Sequence, residues 1–169
     1  MGTAFLCLED AQETPGVAGW RAVSYNHRME TDPQLAERLE RHVRVLSHVI
    51  GERSLGEYQN LVKARDFVSS EFKSYGYAPL VQEYRTYGRA FHNLAAERPG
   101  KSPEIVLVGA HYDSVAGTPG ADDNASGVAV LLELARFFSG ACRELTLRFA
   151  AFATEEPPFF RTSDMGSAH

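Results

Sequence analysis

IVLVGAHYDSVAGTPGADDNASGVAVLLELARFF (105–138), followed after a short break by LTLRFAAFATEE (145–156), is the stretch that decides the fold. IVLVGA (105–110) is a continuous apolar run, expected of a strand buried on both faces in the middle of an α/β sheet. The helix predicted over 126–138 turns Val128, Leu131, Leu132, Ala135 and Phe138 to one side, and LTLRFAAF (145–152) reads as a second inner strand. Strand, helix and strand at this spacing make a βαβ unit with parallel strands and a right-handed crossover.

Upstream, LVQEYRTY (80–87) and AFHNLAA (90–96) alternate and are rich in aromatic and β-branched residues, so an antiparallel pair is expected with Gly88 and Arg89 between the strands. Two helices precede them. Asp32 and Pro33 read as an N-cap and first-turn proline for the stripe Leu35, Leu39, Val43, Leu46 and Ile50, which stops at Gly51. Leu61, Ala64, Val68, Phe72 and Tyr75 form a second stripe ending at Gly76, which suits a left-handed C-terminal cap. The fold class expected is α/β, with a mixed, centrally parallel sheet sandwiched between helices. Residues 1–31 show no sustained period and read as an extended or disordered lead-in to a domain over 32–169.

The chain has 169 residues, 44% of them hydrophobic and 23% charged, which suits one globular domain with a real core. A formal charge of -5 and the lack of any Lys/Arg run make nucleic acid a poor partner. Cys7 and Cys142 lie far apart and match no CxxC pattern, so any metal needs His and carboxylate ligands. The first residues lack a basic leader and no stretch is long enough to span a membrane, so no membrane partner is expected and a cytoplasmic location follows by default.

Ionisable residues appear abruptly after both parallel strands: His111 and Asp113 after the first, Glu155 and Glu156 after the second. That edge of an open α/β sheet is where ligands bind. Between them GTPGADDNASG (117–127) carries Asp122 and Asp123, and its glycines let the backbone turn back over the sheet edge. Singly, each piece has an ordinary explanation: a hydrogen-bonded strand end, a turn with a helix cap from Asn124 and Ser126, a solvated acidic pair. Together they gather like charge at a buried edge, a costly arrangement unless a cation or a network of donors compensates it. Imidazole with carboxylates points to zinc ahead of calcium or magnesium, and the HExxH signature of single-zinc proteases is absent.

LVGAHYDSVAGTPGADDNASGVAVLLELAR (107–136), LTLRFAAFATEEPPFF (145–160) and MGS (165–167) resemble the co-catalytic zinc exopeptidase family that includes bacterial leucyl aminopeptidase. Its wider kin are glutamate carboxypeptidase, the glutaminyl cyclases and the peptidase-like domain of the transferrin receptor, and the resemblance covers roughly residues 34–168. It implies a phosphorylase/hydrolase-like fold, two zinc ions and a peptide substrate trimmed from one end. By resemblance, His111 is a ligand of one zinc, Asp122 bridges both, Glu156 holds the other, Glu155 is the general base, and Asp113 orients the His111 ring. A cis peptide between Asp122 and Asp123 is also implied. Pro157 and Pro158 stiffen the backbone after the acidic pair.

The family pattern asks for two further ligands, an acidic residue well downstream and a histidine near the domain's end. Thirteen residues follow Glu156; Asp164 comes too early, and His169 is expected to be solvated. The sequence therefore reads as a domain incomplete at its C-terminus, with weak metal binding, little activity unless another chain completes the site, and an unpaired sheet edge favouring self-association. His27, His42, His48 and His92 have no partners at ligand spacing. A single-zinc glutaminyl cyclase and a non-catalytic peptidase-like binding module are the rival readings.

Overall fold

The computed structural model describes residues 32–140 and 144–169. The expected lead-in over 1–31 and both cysteines lie outside the described residues.

Helix α1 (Leu35–Arg44) runs into a π-helical segment, Val45–Ile50, that ends at Gly51. Its N-cap is Gln34, two residues beyond the Asp32 expected from the sequence, so Pro33 lies just before the helix instead of at its first position. Helix α2 (Tyr58–Ser74) buries Leu61, Ala64, Val68 and Phe72. It ends as its sequence predicts. Gly76 takes φ 85°, its N–H donates to Lys73 O, and Tyr77 N donates to Phe72 O, the paired bonds of a left-handed cap.

Four strands form one mixed sheet in the order β1-β2-β4-β3. Strands β1 (Leu80–Thr86) and β2 (Arg89–Arg98) are the expected antiparallel pair. β2 pairs antiparallel with β4 (Thr146–Phe152), and β4 pairs parallel with β3 (Ile105–His111) across the crossover helix α3 (Ser126–Phe138). The core joins Leu46, Val68 and Phe72 to Val128, Leu131 and Leu132 of α3, and sets them against Leu94, Ala96, Phe149 and Ala151 of the sheet.

The run 105–110, expected to be buried on both faces, lies at the edge of the described sheet instead. β3 pairs with β4 on one side, and Ile105 and Leu107 remain 46% and 56% exposed. Continuous apolarity reports the demand for cover on both faces, not where the strand sits in the order. Arg148, Ala150 and Phe152 share a groove of about 370 Å³ with Leu80, Ala95 and Leu107. Among the described residues, no helix is long and apolar enough to cross a membrane.

Candidate metal centre

The parallel register brings His111, the last residue of β3, opposite Phe152, the last of β4, so the chain segments leaving both strands start side by side. Tyr112 N donates to Phe152 O at 2.9 Å and extends the contact by one residue. Asp113, 3% exposed, then joins the two sides. Its Oδ1 lies 3.3 Å from His111 Nδ1, and its Oδ2 accepts the main-chain N–H of Glu156 at 2.9 Å. A proton on Nδ1 bound to Asp113 leaves the Nε2 lone pair of His111 free for a cation.

His111 Nε2 lies 3.1 Å from Asp123 Oδ1 and 3.9 Å from Glu156 Oε1. The three residues can offer donor atoms that all lie within 4.8 Å of one another. Asp122, expected from the sequence as the shared ligand, is not in this cluster. It is exposed, and its carbonyl accepts the Ser126 hydroxyl at 2.7 Å. The physical reason is local: Asp123 is extended at φ -116°, ψ 93°, where successive side chains leave the backbone on different sides, so one aspartate of the pair faces His111. The cis peptide likewise falls between Asp123 and Asn124, one residue later than expected.

Gly120 makes this loop possible. It holds φ 56°, and a Cβ there would stand 2.5 Å from Ser114 Cβ and 2.7 Å from Asp123 O. Ala125 N then donates to Gly120 O, and Asn124 Oδ1 accepts Gly127 N at 3.0 Å in the first turn of α3, as expected of Asn124, whereas the Ser126 hydroxyl donates back to Asp122 O and caps nothing.

On the β4 side, Thr154 adopts φ 57°, a region costly for a β-branched residue, and so turns the chain just before the acidic pair. Its hydroxyl lies 2.7 Å from Tyr84 Oη and donates to Asp164 O. Glu155 stands apart from the three clustered residues: its carboxylate accepts Ser167 N at 2.6 Å and Ser167 Oγ at 2.9 Å. Asn93 brings Ser167 there, donating to Gly166 O and accepting Ala153 N. His169 stacks on Tyr84 at 4.2 Å, is exposed, and is not one of the three clustered residues.

Electrostatics follow from this crowding. Burial, then the neighbouring Asp123 charge, pushes the Glu156 carboxyl above its ordinary value. Burial pulls His111 down, but the Asp113 hydrogen bond and charge, with Asp123 and Glu156, outweigh it and raise its pKa. Among the described residues, no Lys or Arg is recorded within ion-pair distance of Asp123 or Glu156. One imidazole with two carboxylates around a common point is a donor set that suits zinc.

Sequence reading gave Arg53, Thr154 and Ser167 no role. Thr154 and Ser167 lie inside the quoted motifs, but side-chain-to-backbone bonds leave no spacing rule to read.

Comparison with known proteins places similar chains among peptidases. Residues 93–169 match the model of Peptidase family M28. The uncharacterized protein YfbL of Escherichia coli is 39% identical over 140 residues, 78% of this chain and 43% of YfbL. Aminopeptidase YwaD of Bacillus subtilis is 52% identical over 56 residues, 33% of this chain and 12% of YwaD. This chain thus spans less than half the length of either relative. Among solved structures, a zinc aminopeptidase from Bacillus subtilis superimposes with a TM-score of 0.65 at 15% identity, over 71% of this chain and 61% of its own. Porphyromonas gingivalis glutaminyl cyclase gives 0.61 at 23% identity, over 70% and 45%. Motif and fold therefore point the same way, and residues 93–169 of this chain are similar to peptidase family M28.

Proposed function

We propose that this chain supplies metal ligands and a general base to a zinc-dependent peptidase of the aminopeptidase type. The observation that carries the reading is the convergence of His111, Asp123 and Glu156 on one point, with no Lys or Arg of the described residues in an ion pair with Asp123 or Glu156. In this reading His111, Asp123 and Glu156 would be the residues that hold the zinc. Zinc, when bound, supplies a Lewis acid and lowers the pKa of water at the site.

The chain's own residues do the rest. Asp113 keeps the His111 proton on Nδ1, which fixes the ring and leaves Nε2 to bind. Glu155 receives the proton of the attacking water on its carboxylate and returns it to the leaving amine. Ser167 limits the directions that carboxylate can adopt through two donated bonds. A peptide is the substrate class that the family and the aminopeptidase relatives favour.

Calorimetric titration of Zn²⁺ into chelator-stripped protein tests the ligand set. Asp123→Ala is expected to weaken binding by more than about 100-fold, beyond the loss usual for an outer-shell partner, while Asp122→Ala stays close to wild type. Equal isotherms for wild type and Asp123→Ala would remove the proposed site. Glutaminyl cyclases share the fold, so a second reading is cyclisation with a single zinc; formation of pyroglutamate from an N-terminal Gln peptide, with no aminoacyl anilide hydrolysis, selects it.

A further inference from the structure

Arg53 is completely buried, and among the described residues its guanidinium meets no carboxylate at hydrogen-bonding distance. It donates to five main-chain carbonyls instead. Nε reaches Tyr112 O at 2.7 Å; Nη1 reaches Leu46 O, Gly51 O and Pro119 O at 2.9, 2.8 and 2.7 Å; Nη2 reaches Gly120 O at 2.9 Å. The main chain of Arg53 is tied to the same place. Its N–H donates to Ser114 Oγ at 3.0 Å, and its carbonyl accepts Ser114 N at 3.1 Å.

The positions of those carbonyls matter more than their number. Tyr112 lies between His111 and Asp113, and Gly120 lies three residues before Asp123. One rigid planar group therefore spans the two segments that deliver His111 and Asp123. A guanidinium carries five N–H donors in a fixed fork, so the separation of Tyr112 O and Gly120 O is set by its covalent geometry. Lysine has neither the plane nor the donor count. Burying this cation is costly, and a surface-compatible clamp could be built from neutral donors. Its charge also counters the carboxylate of Asp113, the residue that hydrogen-bonds both His111 and Glu156.

We propose that Arg53 is a positioning residue for the metal centre, setting the spacing between His111 and Asp123 by clamping the main chain at Tyr112 and Gly120. The role at the metal rests on the ligand reading above. The clamp itself does not.

The test therefore has a metal-free arm and a metal arm, on the full chain. Amide hydrogen exchange is measured for wild type, Arg53→Met and Arg53→Lys without metal, and Co²⁺ is then titrated by visible absorption. In Arg53→Met the amides of Ser114 and Ala125 are expected to exchange faster while those in the centre of α2 keep their protection. Co²⁺ affinity falls by about 10- to 100-fold, the range for an outer-shell partner, with an altered ligand-field spectrum. Arg53→Lys recovers part of both effects.

Unchanged exchange at Ser114 and Ala125 in folded Arg53→Met overturns the proposal. Equal acceleration in α2 and the loop overturns it too, because that is loss of the whole fold. Should Arg53→Met not fold, Gly120→Ala gives the same comparison, since its Cβ would stand 2.8 Å from Arg53 Nη2; an unmoved loop there and in Arg53→Lys is the overturning result. Faster loop exchange in a chain whose wild type binds no Co²⁺ supports the clamp and removes the ligand reading instead.

Discussion

Two groups of ionisable side chains are gathered inside this chain, and they are built on opposite principles. Between α1, α2 and α3, Glu133 is 5% exposed and accepts Arg38 Nε and Arg136 Nε, each at 2.9 Å, while its other oxygen meets His42 Nε2 at 3.2 Å. Glu71 accepts Arg41 and the Tyr75 hydroxyl, both at 2.7 Å. Every carboxylate there has a guanidinium against it. At the sheet edge, Asp113, Asp123 and Glu156 share a single imidazole. The first group is neutralised by guanidinium groups and belongs to stability; the second has one imidazole for three carboxylates, and in the reading proposed above it belongs to binding.

The largest expected effect comes from breaking the compensated group. Glu133→Gln leaves two guanidinium groups facing a neutral amide. Removing one partner of a buried pair costs about 3 to 5 kcal/mol, and the lower end applies because Arg38 and Arg136 retain 21% and 34% exposure. Urea unfolding monitored by circular dichroism reads this directly. A loss much below 1 kcal/mol would mean the network is a surface feature in energetic terms.

The same chemical change at the sheet edge should carry the opposite sign. Without metal, Glu156→Gln removes one of two neighbouring carboxylates, so the apo protein is expected to gain about 0.5 to 2 kcal/mol, as relief of strain at functional sites commonly gives. Zinc should reverse the order, because an ion that binds the folded wild type adds RT ln(1 + [L]/Kd) to its stability and adds less to the variant. If Glu156→Gln destabilises the metal-free chain, the edge cluster is compensated in some other way and the contrast between the two groups fails.

The sequence carried the elements better than the site, and the reason differs from residue to residue. Periodicity exposed α2, the hairpin and the βαβ unit because each buries one regular face. The helix starts two residues after the Asp32 cap expected from the sequence, because Gln34 takes the N-cap position without any side-chain cap bond and so leaves no capping signature to read. Asp122 and Asp123 are chemically identical neighbours, and composition holds no information about which faces His111; backbone angles decide it. His42 read as a helix residue without ligand partners. Its actual partners, Glu133 and Glu71, stand 91 and 29 positions away on other helices. Arg53 was invisible because its partners are carbonyls, which every residue has.

His42 provides the finest probe of the contrast. It is fully buried, and burial lowers its pKa below 6.5 by more than the hydrogen bond and charge of Glu133 and the charge of Glu71 raise it, with Arg41 adding to the lowering. The Tyr75 hydroxyl stands 3.5 Å from its Nε2, and Nδ1 has no hydrogen-bond partner among the described residues. Below 6.5 the unfolded chain therefore takes up a proton that folded His42 resists, so this contribution is complete above 6.5 and is lost as pH falls through the folded value. Glu133 is buried too, but hydrogen bonds from Arg38, Arg136 and His42 hold its carboxyl below 4.5, so its own loss begins lower on the acid side. His111 moves the other way: with its pKa raised, its contribution is present below 6.5 and fades as pH rises through the folded value. Between about pH 7.5 and pH 5.5, the stability gap between wild type and His42→Gln is thus expected to shift against wild type. Unfolding curves for the two proteins that drop in parallel across that window would show that His42 is protonated in the fold, making the helix cluster richer in positive charge than its geometry implies.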